Sequence, residues 1–93
     1  MDVFLKNQYP SGPASLSVSA EEWIKLLPVL TRFTAQMGRG IQQFGETELS
    51  VDELEELDRA IKERGDGIPL AQKLKQTVDT ARQNSQQLVF FGK

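Results

Sequence analysis

Val18-Ser19-Ala20-Glu21-Glu22-Trp23-Ile24-Lys25-Leu26-Leu27-Pro28-Val29-Leu30 is the stretch from which the fold is read. A serine side chain at a helix start accepts a bond from an otherwise orphan amide. A glutamate three residues later answers it, so Ser19 and Glu22 form a capping box. Val18 and Trp23 stand where a hydrophobic staple is made. At about 100° per residue, Trp23, Leu26, Leu27, Leu30, Phe33, Met37, Ile41 and Phe44 share one arc. Lys25, Arg32, Gln36, Arg39 and Gln43 share the opposite one. The spacing predicts one long helix from about 20 to 44. It is kinked at Pro28, which removes a backbone bond and crowds the preceding turn. The alternative is a break at Gly38-Arg39-Gly40. Ile24 and Val29 fall off the apolar arc and are expected at a surface.

Downstream, Leu49-Ser50-Val51-Asp52-Glu53-Leu54 repeats the same start: Ser50 caps, Glu53 closes the box, and Leu49 with Leu54 makes the staple. Leu57 and Ile61 continue the stripe. Glu55 with Arg59 and Asp58 with Lys62 are favourable four-residue pairs, and Gly65 marks the stop. The likeness to Leu16–Glu22 ends within one turn, so it reflects two similar helix starts and not a duplication. Pro69 opens a third helix over 69–83, with Leu70, Leu74, Val78 and Ala81 on its stripe. Asn84-Ser85 ends it.

Upstream, residues 3–9 and 14–18 read as strands. The second alternates with Leu16 and Val18 inward, and Pro10-Ser11-Gly12-Pro13 separates the two. Gln87–Phe91 is a last strand. Its Leu88-Val89-Phe90-Phe91 run is apolar on both faces, which places it inside the sheet beside the first strand. The order β-β-α-α-α-β predicts an α+β fold. Residues 1–93 would form one compact domain, with a small antiparallel or mixed three-stranded sheet and three helices on one face.

Composition narrows the function. With 39% hydrophobic and 26% charged residues the chain has the means to build a core. It has no cysteine and no histidine. Disulfides, thiolate chemistry, the usual zinc ligands and triads of the Ser-His-Asp or Cys-His kind are therefore excluded within the chain. No basic start followed by an apolar run opens the chain, and no apolar run approaches the ~20 residues of a membrane helix. A cytoplasmic protein with no membrane contact is expected, needing no metal or cofactor. Glu21-Glu22, Asp52-Glu53 and Glu55-Glu56 are paired acids, but adjacent helical acids diverge by about 100° and do not face each other across a cleft. Gly38-Arg39-Gly40 lacks the third glycine of a dinucleotide fingerprint.

Charge is unevenly placed. Residues 46–67 carry nine acidic and three basic groups, so a segment containing Glu55 and Glu56 is a candidate to meet a basic partner. Lys25, Arg32 and Arg39 recur every seven residues and would be the nucleic-acid face if there were one, but the net charge of −2 disfavours that. Trp23 and Tyr9 are expected half-buried where sheet meets helix. The reading is a non-enzymatic protein-interaction domain: an inhibitor, an immunity-type or phage-encoded blocker, or an accessory subunit. Its partner is another protein or a second copy, and Trp23, Ile24, Val29, Glu55 and Glu56 are its candidate contact residues. The alternatives are a small-ligand-binding or carboxylate-dependent enzymatic domain and a nucleic-acid-associated protein.

Overall fold

The computed structural model describes residues 1–92. The chain runs β1 (Asp2–Leu5), a 3-10 turn (Lys6–Gln8), β2 (Leu16–Ser17), α1 (Ala20–Met37), β3 (Gly45–Leu49), α2 (Val51–Arg64), α3 (Pro69–Gln83) and β4 (Leu88–Gly92). The sheet has four antiparallel strands in the order β2-β1-β4-β3. The α+β class and the three helices are as the sequence predicts, but the sheet has four strands and not three.

The added strand lies in Gly45-Glu46-Thr47-Glu48-Leu49. It exists because the first helix stops at Met37 and not at 44. Gly38 takes a left-handed conformation (φ 73°) and its amide closes on the Thr34 carbonyl. Glycine adopts that conformation without steric cost, so the break at Gly38 prevails over a continuous helix. Ile41 is nevertheless buried, whereas Phe44 is 65% exposed. Pro28 sits inside α1 without ending it. Its missing N–H would have served the Ile24 carbonyl. Both residues are exposed, so water can take that bond.

Both capping boxes form. Ser19 accepts from the Glu22 amide and Ser50 from the Glu53 amide, and each glutamate accepts in return from the serine amide. Gly65 ends α2 in an ordinary right-handed conformation, so its value is space and not φ. A Cβ there would stand 2.5 Å from the Ile61 carbonyl and 2.9 Å from the Ala71 Cβ. This is where α2 hands over to α3.

One sheet face carries Val3, Leu5, Leu16, Leu49, Leu88 and Phe90, all packed with the helices in one core. β4 lies between β1 and β3, as its two-sided apolar run implies. Its other face, with Val89 and Phe91, is covered differently. Phe4, Tyr9 and Phe91 form an aromatic row, with ring centroids 5.3 Å apart (Phe4–Tyr9) and 6.2 Å apart (Tyr9–Phe91). Lys6, the first residue of the turn after β1, reaches Glu48 of β3 across the end of β4. Under this roof Val89 is fully buried. Tyr9 therefore belongs to the far side of the sheet, not to the sheet–helix junction. The predicted strand 3–9 ends at Leu5 because Lys6 begins the turn that carries Tyr9 over the sheet. The predicted strand 14–18 pairs only over Leu16–Ser17.

Candidate interaction surface

Helix α1 decides where a surface is available. The arc inferred from sequence ran through Leu27 and left Val29 outside. In the structure Val29 is fully buried, with Leu26 and Phe33, while Leu27 is 42% exposed and Ile24 63% exposed. The helix is rolled relative to that arc. The cause is that both flanks are apolar, so the sequence offers two arcs. The one packed against α2, α3 and the sheet includes Val29. Val29 is thus a core residue, contrary to the contact role expected for it. Trp23 is also largely buried, though its edge lines two shallow grooves. Ile24 alone of these three stands free.

The roll leaves a third arc on α1. Ala20, Ile24, Leu27, Pro28, Thr31, Thr34, Ala35 and Gly38 fall within roughly 120° of helix surface. All are exposed and none carries a charge. Leu27, Thr31 and Ala35 form a ridge with an open groove on each side. One groove of about 390 Å³ is floored by Trp23, Leu30, Thr34 and Ile41. The other, of about 430 Å³, is lined by Leu27, Pro28, Thr31, Arg32, Ala35 and Arg64. At the N-terminal end, Phe44 extends the neutral surface beside Ala20 and Trp23.

The charged surfaces are largely self-neutralised. Arg59 pairs with both Glu55 and Glu56, so those two acids spend their charge within α2. Arg32 pairs with Glu63, and Arg39 with Glu53. The Arg39 guanidinium also donates to the Glu48 carbonyl on the free side of β3. Two of the three cations in the Lys25–Arg32–Arg39 stripe are therefore engaged by α2, which leaves little of a continuous basic face. Burial opposes ionisation of Glu53. The Ser50 amide and the Arg39 guanidinium outweigh it and hold the carboxyl below its usual range. Between α2 and α3, Asp58 is buried and pairs with Lys62 at 3.0 Å, Arg82 at 3.2 Å and Lys75 at 3.5 Å. Burial would raise its pKa, but the three cations win and lower it. This is a crosslink between helices. Its Arg82 also lines an open groove of about 430 Å³ with Val51, Asp79 and Gln83, while Asp58 itself is buried beneath.

Among the described residues no three His, Cys, Asp or Glu side chains come together to hold a metal ion. No described helix is long and apolar enough to cross a membrane. A polar groove of about 400 Å³ between β2 and α3 is lined by Ser15, Leu16, Lys73, Gln76, Thr77 and Thr80. Its Thr77 and Thr80 hydroxyls are turned back onto carbonyls of their own helix. Sequence reasoning found Ile24. It missed Leu27 and Phe44 because it assigned them to the buried arc. The signal available was the proline itself, since a helix-interior proline is best tolerated on a solvated side, and Pro28 lies between Ile24 and Thr31 on this face. No protein-family model matches the chain, no curated protein sequence matches it, and no solved structure matches its fold.

Proposed function

We propose that this chain works by binding another protein chain through the uncharged outer arc of α1. The candidate roles are inhibitor, immunity-type or phage-encoded blocker, or accessory subunit. The observation that carries the reading is the exposure of Ile24 (63%), Leu27 (42%) and Phe44 (65%) on a surface without charge. Scattered exposed apolar residues are ordinary, but a contiguous neutral strip beside two grooves is the usual form of a helix-docking surface. The chemistry of the rest favours binding over catalysis. The acids of α2, Asp52 apart, are paired with cations, and the grooves are open with few convergent polar groups.

The test is comparative capture from cells that express the protein. Wild type, Leu27→Lys and Glu55→Lys are immobilised and the retained proteins compared. Retention lost with Leu27→Lys and kept with Glu55→Lys supports α1 as the surface. Retention that follows Glu55 and ignores Leu27 moves recognition to the acidic face of α2 and overturns the reading.

A further inference from the structure

We infer that the occupant of this surface is a second copy of the same chain, packed through α1 in an antiparallel two-fold dimer with Glu21 of each copy against Arg64 of the other; this rests on the docking role of α1 proposed above. Two features of the surface are self-complementary. The first is charge along one rim. Seven- and eleven-residue spacing puts Glu21, Pro28 and Arg32 on nearly one line down the helix. Arg64, from the end of α2, joins Arg32 at the C-terminal part of that line, where both border the same groove. Arg32 is held by Glu63 on its own chain. Glu21 and Arg64, both exposed, have no ion pair among the described residues; nor has exposed Lys25, which lies one turn from Glu21 on the outer margin of the same rim, farther from the centre of the arc.

A two-fold axis perpendicular to two antiparallel helices keeps each rim against its own counterpart and reverses direction along it. A rim with an unpaired acid at one end and an unpaired cation at the other is then matched to itself. A parallel two-fold pairing would bring this rim against the opposite rim of the other copy and leave Glu21 and Arg64 without each other.

The second feature is shape. Centring the pair between Leu27 and Pro28 sets Ile24 opposite Thr31 of the other copy and Ala20 opposite Ala35. Ile24 meets the smaller Thr31, and the small Ala20 and Ala35 at each end let the two backbones approach, so the ridge of one helix can enter the groove of the other. The same arrangement opposes the two helix dipoles favourably. The 18 residues of α1 give a contact about 27 Å long. With Phe44 and the Arg64 flank, the total surface covered is on the order of 1,000–1,200 Å², at the lower limit for a specific interface. An area of that size suits a weak, concentration-dependent dimer and not an obligate one.

Sedimentation equilibrium over about 1–500 μM tests this on the full chain. Wild type should rise from 10.4 kDa toward twice that mass, and Leu27→Lys should stay at the monomer mass with unchanged circular dichroism. Glu21→Arg and Arg64→Glu each act twice in a symmetric dimer. Each should weaken it by roughly fivefold or more, with the loss shrinking at high salt. The double variant should recover to within about threefold of wild type, since it restores the opposed charges. A wild type that remains monomeric at the highest concentration overturns the inference. So does a double variant no tighter than the weaker single. A monomeric wild type whose captured partner is still lost with Leu27→Lys sinks self-association alone and leaves the docking role of α1 standing.

Discussion

Replacing Asp58 by Asn tests the account of how α2 and α3 are joined. The carboxylate is 3% exposed and sits among Lys62, Lys75 and Arg82. A hydrogen bond to a charged group is worth about 1.5–3 kcal/mol, and breaking a fully buried ion pair costs about 3–5 kcal/mol. The larger figure does not apply here. The cation side chains are 62%, 31% and 37% exposed, so they regain water when the acid is neutralised and no buried charge is stranded. The loss should therefore be about 2 kcal/mol at pH 7, near the lower range.

The pH dependence has a definite sign. Asp58 has a folded pKa below its ordinary value of 3.8, so its contribution is fully present above that value. It is lost as pH falls through the lower folded pKa. Lys75, which Asp79 and Asp58 hold above the usual lysine range, is charged over the whole of this window and adds no pH dependence of its own. Urea unfolding of wild type and Asp58→Asn at pH 7, 5, 4 and 3 is the assay. The two should differ by a constant amount at pH 7 and 5 and converge toward pH 3. A variant as stable as wild type at pH 7, or a gap that widens in acid, would refute the assignment of Asp58 as an ionised crosslink.

Other substitutions probe the local structure. Val29→Ala should cost about 2 kcal/mol, from two buried methyl equivalents plus a partly unfilled cavity, while Leu27→Ala should cost under about 0.5 kcal/mol; equal losses in thermal or urea unfolding would mean α1 is not rolled as described. Ser50→Ala should cost about 1 kcal/mol and Glu55→Gln almost nothing, and a reversed order in the same measurement would mean α2 does not begin at Val51. Gly65→Ala should destabilise by about 1–3 kcal/mol, because its Cβ meets a backbone carbonyl that cannot move without disturbing the α2–α3 junction; a neutral result by differential scanning calorimetry would deny that close approach.

Helix starts were legible because capping is local chemistry. Ser19–Glu22 and Ser50–Glu53 place α1 and α2 to the residue, and Pro69 does the same for α3. The position of β4 was legible from its two-sided apolar run. β3 was not, because its identity is tertiary. Glu46 and Glu48 point to the outer face, where Glu48 meets Lys6, so an edge strand reads as a polar linker. The roll of α1 was hidden for a related reason. With Leu27 on one flank and Val29 on the other, periodicity alone leaves two arcs, and only the volume of α2 and α3 selects between them. Glu55 and Glu56 illustrate a third limit. A charge run in sequence says nothing of the cations that fold onto it, and Arg59 absorbs both acids.

The chain contains no cysteine, so a single introduced thiol reports on its own surroundings. Leu27→Cys lies next to the proposed two-fold axis, whereas Lys62→Cys is exposed on α2, away from the α1 arc. The decisive measurement is the rate at which each variant forms a disulfide-linked dimer under mild oxidation at about 100 μM, within the range covered by sedimentation. Leu27→Cys should crosslink at least about tenfold faster than Lys62→Cys. Its advantage should vanish when Glu21→Arg is added and return with Arg64→Glu. Equal rates at the two positions, set by collision alone, would contradict α1 as the surface through which this chain pairs.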